Sequence, residues 1–496
     1  MKSSFFLLAF LLLPFSLAQT DVETLVQERL ETIPLPDPVT YYGQNDAFAA
    51  EISAAYCDAA LADKRYLGED GWIFTRAREI DFGRERLGTK DLSYNEIVFW
   101  LSEYRQALET VGFDEAVMMV VPSKALLGQA YLTDELQGTL EELATEDTYQ
   151  TMRQAYVDAG FTHVPDLLQI ARDAAEGTFP HYPIDHHFTP HSALQWAAEV
   201  AKIIMQSEAY AELELTPVTL ALEDRTFEVV GWEHMRQVWQ VCQAEYPKVY
   251  MPYYALEYEG DAPGLFGEVE SEIVVVGNSN IGFEFNRPGS SGEDVTPGTG
   301  TSDFLAHLTH LPVLKYGVFS LANSAIEQYV RTDFFDESPP GFLVQYLEAH
   351  VYPYPAYHYR SLPALTYGKC QNPVFEATVE RKARVNIDLS AAELEGDSSN
   401  YYVWLELDQP AQQQSVWIVR EQYENGWDDS LLLDTDDRFI EFPISFGLQL
   451  LPEQGKLNQL NITPEQEWSG TSVSASLCDI RQVRQAYEAL GRFFSF

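Results

Sequence analysis

Two runs of apolar residues constrain the fold of this chain most. Ala116 to Val121 is continuously apolar and is ended by Pro122, and Glu272 to Val276 carries a second such run into Gly277-Asn278-Ser279. A strand with one wet face alternates apolar and polar residues, so an unbroken run calls for burial on both faces, as inside a parallel sheet. Helical periodicity precedes the first run. Ser93 with Glu96 makes a capping box, Ile97, Leu101, Tyr104, Leu108 and Val111 share one face, and Gly112 stands where a C-terminal cap belongs. Helix followed by buried strand predicts an α/β layer architecture with a parallel sheet.

A second helix is predicted over Ser192 to Ile204, opened by Thr189 as N-cap and Pro190 at the first helical position. Asp185 and His187 therefore lie in the loop just before a helix. Ser279 lies in the turn leaving the second buried strand, and open parallel sheets hold their ligands at the carboxyl ends of strands.

These three residue types suit acyl transfer. A serine hydroxyl is a weak nucleophile until an imidazole takes its proton, and a carboxylate must hold the tautomer of that imidazole. In an extended loop, residues two apart face the same side, so Asp185 can accept the Nδ1 proton of His187 and leave Nε2 facing a nucleophile. The plainer readings are ordinary loop residues at Asp185 and His187 and a simple turn at Gly277-Asn278-Ser279. His181, His186 and His191 crowd the same stretch and are the alternative bases or a metal site, but no regular ligand spacing supports a metal, so none is expected; no cofactor is expected either.

The N-terminus reads as an export signal over residues 1–18: Lys2, an apolar run from Phe5 to Leu13, and a small-x-small site at Ser16-Leu17-Ala18. Residues 19 to about 42 read as a weakly ordered lead-in. The formal net charge of −45, from 76 acidic against 31 basic residues in 496, argues against nucleic acid and anionic membranes as partners.

After Glu348 the texture changes. Val351 to Leu365 is rich in Tyr and Pro, which places a linker at 351–369 between an N-terminal domain (19–350) and a C-terminal one (370–496). Alternation at Phe375, Ala377 and Val379 and at Val385, Ile387 and Leu389, aromatic or β-branched stretches at Tyr401 to Leu407 and Val416 to Val419, and Asn425-Gly426 as a hairpin turn predict an all-β sandwich with a short terminal helix. Four cysteines allow three pairings; with the boundary before Cys370, pairing within domains is Cys57–Cys242 and Cys370–Cys478.

The chain resembles the SGNH-hydrolase-like alginate O-acetyltransferases. Gly71-Trp72-Ile73-Phe74, Val120-Val121-Pro122-Ser123-Lys124, Pro165-Asp166-Leu167-Leu168, Asp185-x-His187-Phe188-Thr189-Pro190 and Val276-Gly277-Asn278-Ser279 are similar to that family's motifs, in the same order. Phe188 departs from its usual Trp, and Asn278 from its Asp or Thr. The resemblance implies a permuted SGNH-like domain followed by a carbohydrate-binding sandwich, with Ser279 as nucleophile, His187 as base and Asp185 as orienter. Asn323 is the candidate oxyanion donor, and the four cysteines fall where the family's two within-domain disulfides require them.

It implies a periplasmic enzyme that acetylates mannuronate residues of alginate or a similar polyuronate through an acetyl-serine; a monomer is expected. Its implied partners are membrane acetyl-relay proteins that deliver the donor and an outer-membrane export lipoprotein. A polysaccharide esterase with the same triad and a non-catalytic binding scaffold are the alternatives. Trp404, Trp417, Tyr423, Trp427 and Trp468 are candidates to stack on sugar. Because a polyuronate and this chain are both acidic, basic residues must concentrate in the groove. Arg76, Arg78, Arg287, Arg381, Lys382, Arg384 and Arg420 lie near motifs or aromatic strands.

Overall fold

The computed structural model describes residues 15–35, 65–69, 72–75, 93–113, 115–142, 145–173, 180–183, 187–229, 249–258, 271–277, 300–317, 326, 329–330, 340–348, 361–380, 385–409, 415–426, 428–435, 445–450, 456–464, 470 and 472–489. The strands of the N-terminal part are β1 (Arg65–Leu67), β2 (Ile73–Thr75), β3 (Glu115–Val121), β4 (Val218–Val229), β5 (Val249–Tyr258), β6 (Ile273–Gly277), β7 (Val313–Gly317) and β8 (Phe342–Glu348). Those of the C-terminal part are β9 (Phe375–Glu380), β10 (Val385–Asp388), β11 (Tyr401–Leu407), β12 (Ser415–Tyr423), β13 (Asp428–Thr435), β14 (Ser445–Gln449), β15 (Leu457–Pro464) and β16 (Ser472–Asp479). The helices that matter below are α1 (Phe15–Leu30), α2 (Tyr94–Thr110), α3 (Pro190–Gln206), α4 (Thr301–Thr309), α5 (Ser361–Tyr367) and α6 (Ile480–Ala489).

The two apolar runs become β3 and β6 of one sheet, ordered β3-β8-β6-β7, in which every adjoining pair is parallel. Alternate side chains feed opposite layers. Met118 and Val120 join Val274 and Val276 against Ile97, Leu101, Tyr104 and Leu108 of α2. Val117, Met119 and Val121 join Ile273 and Val275 against Trp196 and Val200 of α3 and Phe304 of α4. Both faces are covered, which is why these strands carry no polar alternation. The α2 capping box forms through Ser93 and Glu96, and Gly112 N–H closes onto the Glu109 carbonyl. Thr189 is the N-cap of α3 with Pro190 in its first turn, as predicted.

The expected weakly ordered lead-in is corrected. Helix α1 begins at Phe15, Val26 is fully buried, and Val22, Leu25 and Leu30 pack beside it against the layer of α3 and α4. The spacing of those four residues is that of one helical face, hidden in the sequence by the Gln, Glu and Arg residues between them. Arg29 Nη1 donates to the Leu308 carbonyl, joining α1 to α4.

The C-terminal part folds into two antiparallel four-stranded sheets, β10-β15-β12-β13 and β14-β11-β16-β9. Between them lie Val385, Ile387, Val403, Leu405, Leu460, Ile462 and Val473. Asn425-Gly426 turns β12 into β13, with Gly426 at φ 83°, in the left-handed region that a glycine adopts without strain. Cys370 and Cys478 form a disulfide, while Cys57 and Cys242 lie outside the described residues.

The segment read as a linker includes the packed helix α5. Leu362 and Ala364 of α5 are fully buried, α5 lies against both α2 and β14, and Trp100 of α2 enters the sandwich core. Gln449 Nε2 donates to Glu103 of α2 at 3.3 Å and to the Ser399 carbonyl at 3.0 Å.

Candidate active site

The carboxyl edge of the parallel sheet gathers three of the sequence motifs around one amine. β3 ends at Val121, and Ser123 caps the helical turn Lys124–Leu127 by accepting from Leu126 N–H at 3.4 Å. The first residue of that turn is only 1% exposed. Lys124 Nζ donates to the carbonyl oxygens of Ile73 at 2.7 Å and Pro183 at 2.8 Å. It also lies 5.1 Å from the ring centroid of Trp72 and 5.3 Å from that of Phe74. A buried ammonium needs acceptors in place of water, and these carbonyls and aromatic faces supply them.

Pro183 opens the turn that carries His187. Tyr182 N–H donates to the His187 carbonyl at 3.1 Å, Ile73 N–H to the Pro183 carbonyl at 2.9 Å, and Thr189 N–H to the Pro180 carbonyl at 3.1 Å. Ser192 Oγ, in the first turn of α3, donates to the same Pro180 carbonyl at 2.9 Å. His187 itself is buried, as are His181 and His191. Among the described residues no group of three or more His, Cys, Asp or Glu side chains converges as metal ligands.

Phe188 docks this turn onto the sheet. Its ring meets Trp196 of α3 edge-on, with centroids 4.8 Å apart, and stacks on Tyr346 of β8 at 5.9 Å. Register places Tyr346 one residue beyond the rung shared by Gln345 and Val276. The His187 turn is thereby anchored at the end of the sheet where β6 finishes, and in the sequence Ser279 follows two residues after Gly277, the last residue of β6.

Of the remaining predicted site residues, Asp185, Ser279, Asn323, Arg287 and Trp427 lie outside the described residues, as do Arg76, Arg78, Arg381, Lys382, Arg384, Trp468, His186 and Asn278. Trp417 falls on β12, with its side chain outside what is described. Arg420, on the same strand, is exposed and pairs across the sheet with Ser430 and Asn461.

Two of the aromatic sugar platforms are corrected. Trp404 is 7% exposed, because β11 turns Val403 and Leu405 into the sandwich core and so turns Tyr402 and Trp404 onto the opposite face. There Ala364 and Tyr367 of α5 cover it, beside Cys478. Tyr423 is buried in the sandwich core, and its hydroxyl donates to Glu421. Neither ring can stack on a polymer. Lys124 is the residue that motif reading passed over: it stands in a quoted motif, but a single lysine after a strand carries no sign of its own burial.

The family model for the SGNH hydrolase-like domain of acetyltransferase AlgX matches residues 66–347, more than half of the chain. The chain belongs to the AlgX family. It is 24% identical over 481 residues to the alginate biosynthesis protein AlgX of Pseudomonas aeruginosa, covering 91% of this chain and 94% of that protein. It is 22% identical over 282 residues to AlgX of Azotobacter vinelandii, covering 56% of this chain and 52% of that protein. The solved structure of Pseudomonas aeruginosa AlgX superimposes with a TM-score of 0.61 at 21% identity, covering 86% of this chain and 98% of that one, so the two share a fold. That fold unites a parallel-sheet SGNH-like part with antiparallel sheets, and the motifs around Lys124 and His187 lie within the span of the AlgX family model.

Proposed function

We propose that this protein is a periplasmic O-acetyltransferase that acetylates mannuronate residues of alginate or a closely similar polyuronate through an acetyl-serine at Ser279. The observation that carries this reading is the anchoring of the His187 turn, through Phe188 and Tyr346, at the end of the sheet where β6 finishes. Membership of an acetyltransferase family supports it. An N-terminal apolar run of signal type and the lack, among the described residues, of any helix long and apolar enough to cross a membrane fit export.

In the first half-reaction Ser279 Oγ attacks the acetyl carbonyl of the donor while His187 takes the hydroxyl proton. The tetrahedral intermediate collapses, and the donor's leaving group departs with that proton. In the second, a sugar hydroxyl gives its proton to His187 and attacks the acetyl-serine, and Ser279 leaves reprotonated. Asp185 holds the imidazole tautomer in both. Transfer prevails over hydrolysis only if the polymer is bound and oriented ahead of water. The acetyl group comes from membrane acetyl-relay proteins, and the polymer passes on to an outer-membrane export lipoprotein.

The test is incubation of wild type and Ser279→Ala with an activated acetyl ester, with and without mannuronate oligomers, followed by mass spectrometry of protein and sugar. Acetylated sugar formed by wild type alone is the expected result. Acetate release without sugar modification would make the protein an esterase, and absence of any Ser279-dependent turnover would leave a binding scaffold.

A further inference from the structure

We infer that Lys124 is a positioning residue for acetyl transfer: its ammonium fixes the turn that presents His187, acting at the carbonyl of Pro183. The inference rests on the role proposed above for His187.

The Pro183 carbonyl receives two donors from different elements, Lys124 Nζ at 2.8 Å and Ile73 N–H at 2.9 Å. Donors converging from two directions fix that oxygen in space rather than along a line. Tyr182, the residue before Pro183, donates its N–H to the His187 carbonyl, so fixing Pro183 also fixes the backbone that His187 pairs with. Three residues before Pro183, the Pro180 carbonyl is held by Thr189 N–H and Ser192 Oγ. His187 is thus paired to a backbone segment held at both Pro180 and Pro183, and at Pro183 the side-chain donor is Lys124, from just beyond the end of β3.

The amine is itself held stiffly. Trp72, one wall of its cage, stacks on Tyr131 with centroids 4.1 Å apart and planes 9° from parallel. The second acceptor, the Ile73 carbonyl, belongs to the residue between Trp72 and Phe74. An apolar side chain of similar length would fill the space between the rings without desolvating a charge. It could not hold two carbonyl oxygens. The arrangement therefore favours the geometry of the His187 turn over the simplest way of packing the site, and a general base works only when its nitrogen stays within hydrogen-bond reach of the proton it takes.

The test compares wild type, Ser279→Ala, Lys124→Met and Lys124→Gln with an activated acetyl ester and mannuronate oligomers, measuring kcat and KM alongside circular dichroism and thermal melting. Lys124→Met removes both hydrogen bonds of the ammonium at nearly constant volume and is expected to lower kcat by about 100-fold while leaving KM within about threefold. Lys124→Gln, whose amide still donates, is expected to fall between the two. A folded Lys124→Met with kcat within about threefold of wild type would overturn the inference. So would activity that merely follows the folded fraction, or failure of both variants to fold, since Lys124 would then serve the fold alone. A wild type without Ser279-dependent turnover sinks the proposed function itself, whereas a Ser279-dependent wild type with an unimpaired Lys124→Met sinks only the role of Lys124.

Discussion

The rings of Phe188 and Tyr346 stack 15° from parallel, so the residue next to His187 rests directly on β8, an inner strand of the parallel sheet. The second neighbour of Phe188, Trp196, comes from the helix that the same loop initiates. Loop, helix and sheet are joined through one side chain.

Phe188→Ala is therefore expected to cost about 3–5 kcal/mol of stability, the range for emptying a large aromatic site in a core. The denaturant midpoint should fall with its slope unchanged, and acetyl transfer should fall by more than the folded fraction explains. A loss below about 1 kcal/mol would mean that the surroundings collapse onto the vacancy and that the ring does not anchor the turn.

The join between the two parts of the chain gives a second expectation. A Cβ built on Gly447 of β14 would stand 2.6 Å from the Cβ and 2.9 Å from the carbonyl carbon of Ala364 in α5. Gly447→Ala must push α5 off the sandwich, at about 1–3 kcal/mol for overpacking. Calorimetry should show the melting of the two parts separating, and an unchanged thermogram would show that α5 moves without cost.

The α1–α4 contact should be sensitive to acid. His307 Nδ1 lies 2.7 Å from the Val218 carbonyl and its Nε2 lies 3.0 Å from Thr32 Oγ1. Burial lowers the pKa of His307. His310 is pushed down to about 4 by burial, with Arg29 and His307 adding repulsion. Because the folded state binds protons more weakly than the unfolded chain, the contribution is complete above the ordinary histidine value near 6.5 and is lost as pH falls from there toward about 4. His310 is the C-cap of α4 at φ 58°, a conformation that asparagine tolerates. His310→Asn should therefore flatten the fall in melting temperature between pH 6.5 and 4 relative to wild type, and parallel curves would remove His310 as a source of acid sensitivity.

The formal net charge of −45 sets the salt response. A polyuronate is also an anion, and long-range repulsion slows the encounter of like charges. Raising the ionic strength from about 0.01 M to about 0.15 M shortens the screening length from about 30 Å to about 8 Å. The rate constant kcat/KM for the polymer should rise over that range while that for a neutral acetyl ester stays level. A fall for the polymer would instead identify a basic groove strong enough to override the net charge.

Much of this architecture was legible in the sequence because it follows from local rules. The apolar runs ending at Val121 and Val276 required a sheet covered on both faces, and β3 and β6 are so covered. Ser93, Glu96, Thr189 and Pro190 marked helix starts where α2 and α3 begin. Helix α1 escaped because its face of Val22, Leu25, Val26 and Leu30 is diluted by long polar side chains, and its burial depends on α3 and α4, which are far away in the chain.

The sequence by itself determined the layers and the turn at Gly426, because each is written in nearest-neighbour preferences and short periodicities. Only the tertiary structure decided that Lys124 is buried between Trp72, Phe74 and the Pro183 carbonyl, and that Trp404 faces α5 rather than solvent. A side chain's burial depends on which distant segments cover it. Alternation along a strand tells which residues share a face, but not what lies above that face.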